Sequence, residues 1–243
     1  MEVIVPTCSG YRDTWEPMHR LLDTYWPDCP WPIRVVTDIR PGDAGEDPFA
    51  PFPGGIAVGR DRGWTGNLVA ALRDRDARSV ILLLQDDFFL TARVRTDVLH
   101  AAARLVASDP EVGCLRLYPC PGPADGVERG EVLGLPWGEV WPGEAYRISC
   151  QAALWRVGYL RRALACGTTA MEFELTGSQR CGAWPERVLG LLRGNPLPWP
   201  LEYLCSGITR GRWNPDALRL MEANGIRRTG TRPVDGTGKH LRG

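Results

Sequence analysis

Val80-Ile81-Leu82-Leu83-Leu84-Gln85-Asp86-Asp87-Phe88-Phe89-Leu90 is the stretch from which the rest of this chain is read. Five apolar residues run into a glutamine and two adjacent carboxylates. A short unbroken apolar run predicts a strand buried on both faces, the kind found inside parallel sheets. In open α/β sheets, ligands bind just beyond the carboxyl ends of such strands. Two aspartates placed there offer oxygen donors to a hard divalent cation, and such a cation grips a diphosphate. The plainer alternative is a solvated Asp-Asp turn, since acids commonly close strands. The flanking segments weigh between the two.

Upstream, Val3 to Val5 reads as a short strand ending at Pro6-Thr7-Cys8-Ser9-Gly10. Trp15, Met18, Leu21, Leu22 and Tyr25 then recur at helical spacing. Ile33 to Thr37 predicts a second strand, closed by Asp38. Prolines and glycines from 40 to 55 mark a loop. Ile56 to Val58 is a short strand, and a helix follows from Gly66 to Arg75. Beyond the quoted stretch, Thr96 to Ser108 carries Val98, Leu99, Ala102, Leu105 and Val106 on one helical face, and Val112 to Leu117 is again a strand. Strands alternating with helices predict a doubly wound α/β sheet, mostly parallel. Right-handed crossovers then bring Thr7, Asp38 and Asp86-Asp87 to one rim, and this convergence favours a site over a solvated turn. No G-x-G-x-x-G follows the first strand and no P-loop motif occurs, which argues against simple dinucleotide and P-loop folds.

The second half is looser, with loops and short strands over 119–145, a helix over 156–165, and a helix or turn opening at Met171. Residues 1–224 are expected to form one domain of two halves, 1–118 and 119–224. The Gly-, Arg- and Thr-rich stretch 225–243 reads as a flexible basic tail.

Composition narrows the class. The 243 residues are 44% hydrophobic and 24% charged, as in an ordinary soluble protein. No run is long enough to cross a bilayer, and the start carries no signal-peptide pattern, so a cytoplasmic protein is expected. Formal net charge is zero, which gives no global attraction for a polyanion. Arg210 to Gly243 nevertheless holds seven Arg and Lys239 against Asp216, Glu222 and Asp235. Eight cysteines without a C-x-x-C pair are expected to be free thiols rather than disulfides or a zinc site.

Two groups of motifs, taken together, resemble one family. The first is Trp64-Thr65-Gly66-Asn67-Leu68 leading to Leu83-Leu84-Gln85-Asp86-Asp87-Phe88-Phe89-Leu90. The second is Ser149-Cys150-Gln151-Ala152-Ala153-Leu154-Trp155, then Tyr159-Leu160, then Met171-Glu172-Phe173-Glu174-Leu175-Thr176-Gly177-Ser178. In order and spacing they resemble small bacterial and phage glycosyltransferases of the GT-A fold, related to the family-2 transferases. Those carry L-L-L-D-D-F-F-L, S-x-Q-x-x-x-W and W-E-F-E-x-x-G-S. The likeness runs over roughly residues 1–215. It departs at Met171, where the family has Trp, and at Gln85, which leaves no strict D-x-D.

The resemblance implies a nucleotide-sugar donor, in the first instance a UDP-sugar, with Mn²⁺ or Mg²⁺ held by Asp87 and Asp86. Asp87 takes the diphosphate-bridging place, and Asp86 reaches sugar or ribose hydroxyls. Thr7, Cys8, Ser9 and Asp38 line the nucleotide. Trp64 and Trp155 stack on sugar or base, the alternative for each being a core position. Arg210 and Arg212 stand where relatives place a late basic element near the diphosphate, and a solvated surface is the default reading. Inverting transfer needs a general base, for which Glu172 is favoured over Glu174. A helix N-terminal acid pair is the competing reading for both. The expected acceptor is a cell-surface saccharide. A hydroxymethylated pyrimidine in phage DNA is the alternative, and a silent binding module the second.

Overall fold

The computed structural model of the chain describes residues 1–39, 49–119, 128–165, 168–193 and 197–236. The expected loop over 40–48, the first part of the 119–145 loop region, and the end of the basic tail lie outside the described residues. The strands are β1 (Glu2–Pro6), β2 (Ile33–Thr37), β3 (Ile56–Ala57), β4 (Val80–Leu83), β5 (Phe89–Leu90), β6 (Val112–Arg116), β7 (Glu128–Val132), β8 (Leu135–Glu139), β9 (Ala153–Arg156), β10 (Arg187–Leu191), β11 (Tyr203–Leu204), β12 (Ile208–Thr209) and β13 (Arg212–Trp213). The helices are α1 (Trp15–Tyr25), α2 (Gly63–Leu72), α3 (Thr96–Ser108), α4 (Val157–Leu164), α5 (Ala170–Cys181) and α6 (Pro215–Ala223), with a 3-10 turn over Ser9–Thr14.

Among the described residues, nine strands form one sheet in the order β3-β2-β1-β4-β9-β6-β10-β8-β7. β3, β2, β1 and β4 pair in parallel, as do β6 and β10. β9 runs antiparallel between β4 and β6, and β8 antiparallel between β10 and β7. Seven of the nine strands therefore point one way, with β8 and β9 against them. The parallel sheet read from the sequence is thus interrupted by β9, whose apolar Ala153-Leu154-Trp155 gave no sign of its direction. The reversal has a consequence for the site. Ala153, at the beginning of β9, pairs with Leu83 and Arg116 at the ends of β4 and β6. An antiparallel strand thus delivers its first residues to the rim where the parallel strands finish.

The unbroken apolar run is explained by the two faces of the sheet. Side chains alternate between faces along a strand. Val3, Val5, Leu82 and Leu84 join Trp15, Met18, Leu22, Val98 and Leu99 of α1 and α3 in one core. Ile4, Val36, Ile81 and Leu83 join Leu68, Leu72, Leu160 and Ala163 of α2 and α4 in a second. Each such side chain contributes roughly 1.5–3 kcal/mol on burial, so both halves of the run are needed.

One segment departs from expectation. The supposed flexible tail is, through Gly236, laid along the domain. Trp213 N–H donates to Pro233 O at 2.8 Å and Asp235 N–H to Trp213 O at 2.9 Å. Arg232 reaches Asp13 through Nε and Nη2 at 2.8 and 2.7 Å, with its guanidinium 4.4 Å from the Tyr11 ring. Residues 237–243 lie outside the described residues. Cys8, Cys29, Cys114, Cys150, Cys181 and Cys205 are in no disulfide, and Cys120 and Cys166 lie outside the described residues.

Arg147 is a buried clamp on the second half. It is 1% exposed and donates to the carbonyls of Val140, Cys181 and Glu186 at 3.1–3.2 Å. These carbonyls belong to the end of β8, the end of α5 and the approach to β10. Arg147→Met keeps the apolar stem but leaves buried carbonyls unpaired. A loss of about 3 kcal/mol or more in urea unfolding is expected, and a loss below about 1 kcal/mol would contradict the clamp.

Candidate active site

Asp86 and Asp87 follow β4 directly, at the rim where β1 and β2 also end. A pocket of ≈ 320 Å³ opens over them, lined by Pro6, Thr7, Cys8, Tyr11, Asp61, Gly63, Trp64, Asn67, Gln85 and Ala170. Asp86 is only 7% exposed. Its Oδ2 accepts from Thr7 Oγ1 at 2.5 Å and lies 3.3 Å from Thr14 Oγ1. Thr7 Oγ1 accepts in turn from Trp15 Nε1 at 2.9 Å, so α1 fixes the hydroxyl that fixes the acid. Asp87 Oδ2 accepts from Ile208 N–H at 3.0 Å, and its carbonyl from Gly207 N–H at 2.8 Å. Gly207 has no room for a side chain there: a Cβ would sit 2.6 Å from the Phe89 ring and 3.0 Å from the Asp87 carbonyl.

Burial pushes both carboxyls above the ordinary aspartate range, and for Asp86 the neighbouring Asp87 charge adds to it. The Ile208 N–H and the Arg232 charge pull Asp87 partly back. The donor set suits a hard cation shared with a ligand rather than an all-protein cage. Among the described residues no three His, Cys, Asp or Glu side chains are grouped to hold a metal. Mg²⁺ typically takes one or two carboxylates and completes its shell with water and phosphate oxygens. Asp86 and Asp87 could hold such an ion.

Gln85, which breaks the D-x-D pattern, is committed elsewhere. Its Oε1 accepts from Trp64 Nε1 at 3.0 Å and its Nε2 donates to Cys150 O at 3.2 Å. Cys150 N–H donates to Glu174 Oε1 at 2.8 Å. One chain of bonds therefore runs from α2 through the end of β4 and the approach to β9 to α5. Trp64 lines the pocket with its ring 5.2 Å from Phe173. Trp155, expected to stack on a ligand, is fully buried against Tyr159 and Phe173. It is a core residue, because β9 turns that face into the helical layer.

The two glutamates separate. Positions two apart on a helix diverge, and residues 170–181 are helical. Glu172 closes a capping box: Thr169 Oγ1 accepts from its N–H, and its Oε2 accepts from Thr169 N–H and from Thr168 N–H and Oγ1. These bonds, the Thr168 hydroxyl first, hold its pKa low. The structure gives Glu172 to the helix start, not to the pocket. Glu174 is half-buried and, like Glu172, does not line the pocket; burial raises its carboxyl against the opposing pull of the Cys150 N–H.

On the nucleotide side, Ser9 N–H and Oγ donate to Asp38 at 2.6 and 2.9 Å. That tie links the ends of β1 and β2 and places Asp38 next to Cys8, a lining residue. Arg210 and Arg212 are exposed on the β12–β13 hairpin, just after the Ser206–Ile208 segment that holds Asp87. Arg210 has φ 51° and Gly211 φ 73°, as a type I′ hairpin turn requires. Asp61 was not anticipated. Its Oδ1 accepts from Gly63 N–H at 2.8 Å and Asn67 Nδ2 at 3.1 Å, fastening the start of α2. The Asp-x-Gly step ahead of Trp64 was its only sequence signal. A larger hollow, ≈ 640 Å³, lies on the opposite edge around Glu2, Arg75 and His100. It is remote from the strand ends and holds no adjacent acid pair.

No protein-family model and no curated protein matches the chain. Among solved structures it is similar to the galactosyltransferase LgtC in complex with donor and acceptor sugar analogs. The TM-score is 0.50 and identity 14%, over 93% of this chain and 95% of that one. The fold is of the GT-A type. The chain also matches S. aureus TarS residues 1–349, with TM-score 0.49, 16% identity and 92% of this chain covered; it spans 64% of that fragment. No described helix is long and apolar enough to cross a membrane.

The acid pair sets a pH dependence. Carboxyls raised above their unfolded values keep protons that the unfolded chain has lost, so stability falls as pH rises through that window. Between about pH 5 and about pH 8 the melting temperature is expected to fall, and Asp86→Asn to flatten the slope. A wild-type slope unchanged by that substitution would contradict the assignment.

Proposed function

We propose that this chain is a glycosyltransferase moving a sugar from a nucleoside-diphosphate donor, a UDP-sugar in the first instance, to a saccharide hydroxyl. The observation that carries the reading is the Asp86-Asp87 pair, the first buried and the second half-buried, lining the pocket at the end of β4. The GT-A-type fold supports it, since the end of that strand is where an α/β sheet receives ligands.

Asp87 is the residue for the cation and diphosphate, and Asp86, held by Thr7, faces ribose or sugar hydroxyls. Thr7, Cys8, Ser9 and Asp38 border the nucleotide, Trp64 walls the pocket, and Arg210 and Arg212 serve the diphosphate from the hairpin. A bound Mg²⁺ or Mn²⁺ supplies positive charge at the departing diphosphate. The general base is Glu174 rather than Glu172. A carboxyl raised by burial is better matched to proton abstraction near neutral pH, while Glu172 is occupied by its cap. In an inverting displacement the acceptor oxygen bonds to the anomeric carbon, its proton passes to Glu174, and the C–O bond to the diphosphate breaks.

The nucleic-acid alternative loses part of its motivation. Arg232 is taken up by Asp13 and Arg219 by Asp216, which reduces the basic surplus behind it.

Glu174→Gln keeps size and the Cys150 bond but removes the basic oxygen. Transfer should fall on the order of a hundredfold or more with donor affinity nearly unchanged. Glu172→Gln should remain near wild type in transfer and lose some thermal stability. The reverse pattern would return the base to Glu172. Asp87→Asn should abolish Mn²⁺-dependent UDP binding in calorimetry while leaving the fold intact; unchanged affinity would refute the donor site.

A further inference from the structure

The pocket over the acid pair has a composition that bears on which sugar it takes. Its lining includes Asp61, Asp86 and Asp87, the amides of Asn67 and Gln85, and the ring of Trp64. Among the described residues no arginine, lysine or histidine lines it. Arg232 enters the electrostatics of Asp87 but is paired bidentately with Asp13 and lies outside the lining. Both amides are anchored inside the protein, each by one accepted and one donated bond. Asn67 Oδ1 accepts from Arg62 N–H and its Nδ2 donates to Asp61, while Gln85 bonds Trp64 and Cys150. The side-chain groups of the lining that can address a ligand include the carboxylate oxygens, the ring of Trp64 and the Tyr11 side chain, none of them cationic.

Asp61 is the one of these acids set apart from the other two. Both of its bonds fall on Oδ1, so its Oδ2 takes no hydrogen bond among the described residues, and the residue is exposed. A carboxylate held at one oxygen, beside an aromatic ring, is suited to accept from hydroxyls or from an ammonium group. It repels another carboxylate. A bound cation can offset the diphosphate, but it does not offset a negative charge on the sugar ring.

Resting on the donor reading above, we infer that the transferred sugar is uncharged or cationic, and that Asp61 is a specificity residue excluding uronic acids. The acid oxygen accepts from a sugar hydroxyl or amine in the productive complex, and a C6 carboxylate meets like charge.

The test uses matched donors differing at C6: UDP-glucose against UDP-glucuronate, and GDP-mannose against GDP-mannuronate. Each is titrated into the full chain at saturating Mg²⁺. The neutral member of at least one pair should bind at least about tenfold more tightly than its uronate. Asp61→Asn keeps the Oδ1 acceptor that fastens α2 and removes the charge. It should narrow that gap several-fold, chiefly by improving uronate binding. Equal binding of the neutral sugar and its uronate in every pair that binds, or a gap untouched by Asp61→Asn, overturns the inference while leaving the donor reading intact. Binding of none of the four donors overturns the donor reading and this inference with it.

Discussion

Two neighbouring carboxylates, Asp86 buried and Asp87 half-buried, at the end of a strand enclosed on both faces are the constraint around which this structure is organised. Removing like charges from water is unfavourable, and nothing in the packing of β4 requires them. The surroundings meet that cost piecemeal. Trp15 orients Thr7, Thr7 and Thr14 approach Asp86, and Ile208 N–H reaches Asp87. The last of these brings residues more than a hundred positions downstream onto the acid pair, and Gly207 is the residue that lets the backbone come so close. Local unfavourable choices that the rest of a fold works to maintain are characteristic of functional sites.

The antiparallel β9 is the second organising element. A parallel strand in its place would bring its end, Arg156, to the rim. Reversed, it brings Cys150 and Gln151, and Cys150 then connects Gln85 to Glu174. The departure from D-x-D and the Cys150 bond of Glu174 thus have one explanation. Gln85 joins the first half of the chain to the second, a task an aspartate, which accepts but does not donate, would not perform. Arg156 in turn ties the far end of β9 to the carbonyls of Val112, Arg78 and Asp109.

The parts legible in the sequence were those set by short-range patterns. The unbroken apolar run announced β4, and helical spacing announced α1 and α3, because burial on two faces or one leaves a periodic trace. Asp86, Asp87, Thr7 and Asp38 were legible because strand ends of an α/β sheet share a rim. Long-range pairing was not legible. Trp155 looked like a ligand platform until the direction of β9 placed it in the core. Glu172 and Glu174 were indistinguishable until a capping box claimed the first. The basic tail looked free because the Asp13–Arg232 pair joins residues 219 positions apart. Asp61 sat in a loop whose geometry no local pattern fixes.

The central claim, that the acid pair holds a cation bridging a nucleotide diphosphate, is tested most directly by a crystal structure with Mn²⁺ and UDP, using anomalous scattering to locate the metal. The account predicts one strong anomalous peak at metal–oxygen distance, about 2.0–2.6 Å, from a carboxylate oxygen of Asp87, with diphosphate oxygens on the same ion. UDP bound in the pocket with no metal at Asp86-Asp87, or bound elsewhere on the molecule, would contradict it.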